Sequence, residues 1–410
     1  MHTVNPAPAR FALARLIGGH ICLHACMAGT RLAAPLLALK QGYSPLAVGF
    51  LLALFALTQV FLALPAGRYA DSHGLKRPVR YAVIASTIGA GLAMAFPIFP
   101  VLCVSALLTG GATGAAAIAL QRHVGHAARD ATELKQVFSW LAIGPALSNF
   151  LGPFLAGLLI DFGGGLIVGQ MGDLSGYRVA FMVMAVLPLA SWALMRRTPE
   201  LPVVQRAAQG GPRNSWDLLR VPMMQRLLLV NWFMSSCWDV HSFIIPVIGH
   251  ERGFSASVIG ILLGAFALAA AAVRVLLPLI AAHLREWVVT TVAMLLTALL
   301  FGIYPFMQSP WTMGLCSVLL GLVLGSVQPM IMSTLHQITP KDRQGEALGL
   351  RLMSLNGSSV LMPMLFGTVG TVVGVSIVFW AVGLMVGLGS RAAWGLRVES
   401  TDLRVDKTPE

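Results

Sequence analysis

Charge is what this sequence has little of. Asp, Glu, Lys and Arg make up 11% of its 410 residues, against about 25% in a soluble domain. Hydrophobic residues account for 57%, and the mean hydropathy is +0.78. A water-soluble chain of this length could not bury so much apolar surface. A soluble enzyme, a disordered chain and a secreted disulfide scaffold are therefore excluded. Cysteine is scarce as well. Cys22, Cys26, Cys103, Cys237 and Cys316 all lie in apolar stretches, and their odd number argues against a disulfide framework. Nucleotide and hydrolase signatures are missing: there is no P-loop, no G-x-S-x-G and no H-E-x-x-H. Gly163-Gly164-Gly165 has no strand before it and reads as a flexible loop. No enzyme activity, cofactor or resident metal is expected, and pumping driven by ATP on this chain alone is disfavoured.

What is present is a series of long apolar runs. A bilayer span needs about 20 apolar residues. Runs bounded by charged or turn residues predict twelve helices, at 14–39, 45–66, 79–97, 99–121, 136–160, 178–196, 224–248, 256–283, 287–307, 310–335, 347–371 and 373–394. The N-terminus carries Arg10 and Arg15, but His20, His24 and Arg31 interrupt the apolar run that follows, so it reads as an uncleaved first span. The polar stretch 197–222, rich in Pro, Gly and Arg, suits a linker between two six-helix halves. The expected organisation is an N-terminal bundle at 1–196, this linker, a C-terminal bundle at 223–395 and a tail at 396–410.

The net charge of +12 sorts by side. With the N-terminus cytoplasmic, Lys40, Arg178 and Arg252 are the basic residues placed outside, and Arg31 and Arg274 lie within spans. All the other Lys and Arg then fall on the cytoplasmic side, as the positive-inside rule requires. Both termini are expected in the cytoplasm of a cell-membrane protein, and the basic balance needs no nucleic-acid partner.

The halves repeat at an offset of 211 residues. Pro35 aligns with Pro246, Gly42 with Gly253, Ser44 with Ser255, Gly49 with Gly260, and Phe55-Ala56-Leu57 with Phe266-Ala267-Leu268. Parallel six-helix repeats are a transporter architecture, with the site near the midplane between the halves.

The segment Gly67-Arg68-Tyr69-Ala70-Asp71-Ser72-His73-Gly74-Leu75-Lys76-Arg77-Pro78 resembles the signature loop of the major facilitator superfamily, G-x-L-A-D-R-x-G-R-K. Gly67, Ala70, Asp71, Gly74 and Lys76 match, whereas Tyr69, Ser72 and Leu75 depart from it. The resemblance implies an all-α integral membrane fold of twelve transmembrane helices in two pseudo-symmetric bundles, working by alternating access. It also implies that this loop latches the halves in the outward-facing state. Gly67, Asp71, Gly74, Lys76 and Arg77 would form the latch, with Arg68, Lys76 or Arg77 replacing the cation missing at Ser72. The loop from Thr339 to Gly349 resembles the family's connection before helix 11 and would sit near Asp71. In helix 5, Gly152-Pro153 and Gly157 resemble a Gly-Pro motif of the family's exporters, where antiporters predominate. No Lys or Arg occurs between Pro100 and Gln121, where many drug exporters of the family carry a helix 4 Arg.

Ionisable groups inside a membrane are costly, and each is a functional candidate. Helix 1 holds His20, His24 and Arg31, helix 7 holds Asp239 and His241, and helix 8 holds Arg274. The repeat aligns Ala28 with Asp239 and Arg31 with Ser242, which places Arg31 and Asp239 at similar depth on facing helices. They are expected to face each other across the cavity, either as a static bridge or with Arg31 binding substrate while Asp239 carries a proton. His24 and His241 join Asp239 as proton-coupling candidates, since His titrates near neutral pH. Arg274 is expected to snorkel to the cytoplasmic interface. Arg31, Asn149, Asn231, Trp238, Gln328 and Asn356 are the expected substrate-binding set. Gln59, Ser235 and Ser236 are further polar cavity candidates.

The reading is a monomeric, proton-coupled secondary transporter that exports a small organic molecule, with substrate, protons and lipid as its partners. An organic-anion symporter or facilitator and a non-transporting membrane sensor are the alternatives.

Overall fold

The computed structural model describes residues 6–127, 131–166, 174–200, 215–280, 285–339 and 344–397. Among them run twelve long α-helices: α1 Pro6–Lys40, α2 Pro45–His73, α3 Lys76–Ala95, α4 Phe99–Ala127, α5 Ala131–Phe162, α6 Ser175–Met195, α7 Pro222–Glu251, α8 Ala256–Ile280, α9 Glu286–Ile303, α10 Pro310–Ile338, α11 Gln344–Val373 and α12 Val375–Trp394. Eleven are apolar enough in length and composition to cross a bilayer. The remaining helix, α7, carries Asn231, Ser235, Ser236, Asp239 and His241, a polar load that suits a helix largely buried within the bundle.

Local chemistry marks the helix ends. The Ser44 and Ser309 hydroxyls accept from the backbone N–H of Ala47 and Thr312, capping α2 and α10, and Pro follows each serine at the first helical position. Gly42 and Gly253, the aligned turn glycines of the two halves, both have positive φ, 83° and 69°. That backbone region is open to glycine at no steric cost.

Several helices outrun their apolar stretches. α2 continues to His73, α4 to Ala127, and α5 begins at Ala131. Hydropathy stops where charge begins, but the i→i−4 ladder continues into the interface. One result concerns the signature segment. Gly67 to His73 form the last turns of α2, and the reversal itself is confined to Gly74 (φ 72°) and Leu75.

The same pairings recur six helices later. α1 packs on α5, α2 on α4 and α3 on α6, while α7 packs on α11, α8 on α10 and α9 on α12. The two groups meet mainly through α5 against α8 and α2 against α11. Glycines make these seams close. A Cβ at Gly260 would run into the Pro153 carbonyl, and one at Gly49 into the Pro363 carbonyl. A Cβ at Gly157 would strike the Ala256 carbonyl, and one at Gly367 the Pro45 carbonyl. The seams are thus internal copies of each other, with Pro153 and Gly157 answered by Pro363 and Gly367. Both lie in the halves of the helices remote from the 197–222 connector. The Asp161 carboxylate, at the end of α5, also accepts from the backbone N–H of Ala256 (3.0 Å) and Ser257 (2.6 Å). It caps α8 across the seam, where the helix dipole favours an anion.

Candidate functional site

Between the two groups of helices lies a cavity of about 420 Å³, within the usual span for small-molecule sites. Five of its walls are polar helix faces. Arg31 comes from α1, Asn149 from α5, Asn231 and Trp238 from α7, Gln328 from α10 and Asn356 from α11. All six expected substrate-binding residues are therefore brought to one space. Gln59 and Ser235 line it too, whereas Ser236 bonds away from it, to Ser358 and the Trp232 carbonyl.

Arg31 and Asp239 meet at the cavity wall, Nη2 to Oδ1 at 4.0 Å. That separation is a charge contact rather than a hydrogen bond. Asp239 takes its hydrogen bonds within its own half. The Ser358 hydroxyl donates at 2.9 Å and the Ser359 hydroxyl at 3.1 Å, both from α11. Its side chain is 3% exposed, so a carboxylate there needs these partners. The Arg31–Asp239 contact links the two halves at the cavity wall.

The histidines part company. His20 and His24, one turn apart on α1, both line the cavity, with rings 5.8 Å apart. The His24 Nδ1 has no hydrogen-bond partner among the described residues. His241 is not in the cavity. It is fully buried, hydrogen-bonded through Nε2 to Ser317 Oγ at 3.0 Å and stacked on Phe266. Ser317 also meets the Tyr304 hydroxyl at 2.8 Å. The reason is helical geometry: residues two apart point about 200° away from each other, so Asp239 and His241 face opposite ways. His241→Gln is expected to lower thermal stability by breaking this packed cluster while leaving any pH-gradient coupling of the carrier intact. A thermal melt and a flux assay on the same preparation check this, and lost coupling at unchanged stability would contradict it.

Arg274 does not snorkel. It lines the cavity with its guanidinium 5.7 Å from the Trp238 ring centre, in cation–π range. Arg351 is the residue that sequence reasoning missed. It stands seven positions inside α11, is 5% exposed, and lines the same cavity. Its place near a predicted span boundary caused it to be counted with the loop charges. Gln121, Thr113 and Ser359 are further polar lining residues that the sequence did not single out.

At the signature segment, the carboxylate seated on the N-terminus of α3 is Glu200. Its Oε1 accepts from the backbone N–H of Leu75 (3.0 Å) and Lys76 (3.1 Å). Gly74 is fitted against the same side chain, which a Cβ would displace. Tyr69, one of the departures from the family pattern, stacks on His73 at 4.1 Å. The Ser72 hydroxyl, at another departure, donates to the Tyr69 carbonyl at 3.1 Å. Gly67 belongs to α2, while Lys76 and Arg77 open α3. The Asp71 and Arg68 side chains and residues 340–343 lie outside the described residues, as does the expected approach of the latter to Asp71. In helix 5, Gly152 lets α5 approach α1 at Ala25 and Gly29, and Pro153 and Gly157 form the α8 seam.

The sequence model of the Major Facilitator Superfamily matches residues 16–236 and 227–410. Solved structures agree with it in fold. A bacterial homologue of the human lysosomal transporter Spinster, in an inward-facing and occupied conformation, superposes with a TM-score of 0.77 at 13% identity, over 96% of this chain and 97% of that one. The D-xylose–proton symporter gives 0.76 at 14%, over 95% and 97%. The nucleoside transporter NupG gives 0.71 at 14%, over 94% and 100%. No protein of curated function matches the sequence. Two repeated six-helix groups around a polar central cavity are the architecture of secondary transporters. The chain belongs to the major facilitator superfamily, a transporter family of multi-pass membrane proteins.

Proposed function

We propose that this chain is a proton-coupled secondary active transporter that moves a small organic molecule through the central cavity by alternating access. The observation that carries the proposal is the Arg31–Asp239 contact. It is a charge pair at the cavity wall, a buried Asp239 against a partly exposed Arg31, with one member on each half of the protein. Protonation of Asp239 would remove the charge that holds Arg31 and would weaken the link between halves. Ser358 and Ser359 would keep the acid hydrogen-bonded in either form. The proton and the conformational change would thus share one group. The solved D-xylose–proton symporter of the same fold shows that the architecture can carry proton coupling.

In this reading the chain works as a monomer in the cell membrane. The connector and both termini are cytoplasmic, because the basic residues gather there. The seams then close the outer side, and the described conformation faces inward. Export is supported by the helix 5 resemblance. Its weight is reduced by geometry, since Pro153 and Gly157 serve a seam that Pro363 and Gly367 repeat. Uptake by symport or facilitation is the second reading, favoured by the arginines of the cavity.

The test is reconstitution of the full chain in proteoliposomes holding a pH-sensitive dye, with anionic, neutral and cationic organic compounds offered under imposed pH gradients. A compound that accumulates against its gradient and moves protons supports the proposal. Flux without proton movement would make the protein a facilitator. Binding without flux would make it a sensor. Right-side-out and inside-out vesicles separate export from import.

A further inference from the structure

The charges of the cavity do not balance. Its lining holds three guanidinium groups, Arg31, Arg274 and Arg351, and one carboxylate, Asp239. Asp239 is occupied by Arg31, Ser358 and Ser359. Arg274 on α8 and Arg351 on α11 therefore share one cavity with no carboxylate to meet them among the described residues. The Nε atoms of both are buried and without a hydrogen-bond partner there. Arg351 is 5% exposed. A buried guanidinium without a counter-charge is strongly destabilising, and natural proteins keep such groups where a ligand or partner satisfies them. Seven residues of α11 separate Arg351 from Ser358, a rise of about 10 Å. These two cations, unpaired among the described residues, thus sit toward the connector side of the Arg31–Asp239 link.

From this we infer that Arg274 and Arg351 form the substrate-anchoring site, and that the substrate is a small organic dianion such as a dicarboxylate. Two uncompensated cations call for two negative charges. The planar guanidinium fork pairs with a carboxylate through two parallel hydrogen bonds. Trp238, its ring in cation–π range of Arg274, gives an apolar surface to the carbon body. Gln328 and Asn356 add neutral hydrogen-bonding groups beside the pair. This moves the anion anchor away from Arg31, whose charge is already met by Asp239. The inference rests on the central cavity being the transport site, as proposed above, and adds the substrate class.

The experiment is a thermal-stability titration of the purified full chain, since a ligand of the folded state raises its apparent stability by mass action. The probes are succinate, adipate and phthalate, each beside its diamide, with putrescine and inorganic phosphate as controls. At least one dicarboxylate is expected to raise the melting temperature in a saturable way, while diamides and putrescine do not. Arg351→Gln and Arg274→Gln are each expected to weaken that binding by about 30-fold or more, the range for losing one partner of a buried charge pair. Arg351→Lys, which keeps the charge but not the fork, is expected to retain part of it. That variant also controls for folding, because it avoids deleting the cation. Stabilisation by the diamides or by putrescine, or by none of the dicarboxylates, would overturn the inference. So would inorganic phosphate binding alone, or dicarboxylate binding unchanged in both Gln variants. Failure here is separable from failure of the transporter reading. Proton-coupled flux of a neutral or cationic compound would sink the dianion and leave the carrier standing.

Discussion

Asp239→Asn is expected to abolish accumulation driven by a pH gradient while sparing exchange of substrate down its own gradient. The asparagine is nearly isosteric: its Oδ1 can accept from one of Ser358 and Ser359, and its NH2 can donate to the hydroxyl of the other. What it lacks is the titratable charge opposite Arg31. Driven uptake should fall to the level of a protonophore-treated control. Counterflow, which needs only the two conformations, should persist. Stability must be read alongside. Removing one member of a buried pair leaves the other uncompensated, at a cost of roughly 3–5 kcal/mol. The double variant Arg31→Gln with Asp239→Asn removes both charges and should regain most of that loss without regaining coupling. Restored coupling in the double variant, or full coupling in Asp239→Asn, would show that the pair is a static brace and that protons pass elsewhere.

Gly260→Leu is expected to stop transport for a different reason. A side chain there has no room while α8 is seated on the Pro153 carbonyl of α5. The clash exists in the closed seam and vanishes when the seam parts, so the substitution favours the conformation open on the side remote from the connector. Transport should drop by 100-fold or more, because an equilibrium displaced by about 2.7 kcal/mol or more changes the population ratio by that factor. The check is labelling by an impermeant thiol reagent. Ser242→Cys lines a small recess with Ala28, Arg31 and Pro153 on that side. On a background lacking the five native cysteines, it should react slowly in the parent and rapidly with Gly260→Leu. Equal labelling would mean that the seam does not gate access. Gly49→Leu, at the matching place against Pro363, should behave alike.

Much of this architecture was legible in the chain. Eleven of the twelve helices announce themselves by an apolar run that the bilayer demands, and the offset repeat already placed Arg31 and Asp239 level with each other. The polar lining of the cavity was legible for the same reason, since Asn149, Asn231, Gln328 and Asn356 are polar side chains on apolar helices, which membranes tolerate only toward an interior. What was illegible depended on three dimensions. Arg351 lay near the start of a predicted span, where charge is ordinary, and only the packed helices show that its side chain is buried on the cavity wall. His241 could have been separated from Asp239 by counting angles along the helix, yet its bond to Ser317 needs α10 in place. Glu200 and Asp161 stand at helix ends, where an acid usually meets water. Each is defined by a helix N-terminus that the fold brings to it.

Asp161 has a further consequence, in the order of events rather than in the resting shape. The α5–α8 seam is held by glycine contacts and by this carboxylate, bonded to two N–H groups of α8. At the α2–α11 seam, the residue in the corresponding place of the repeat is Thr371, and α2 is capped by its own Ser44. Two seams alike in backbone but unlike in charge do not part with equal ease. If the seams part during transport, the α2–α11 side is expected to give way first and the α5–α8 side last, as a door swings from its hinged edge.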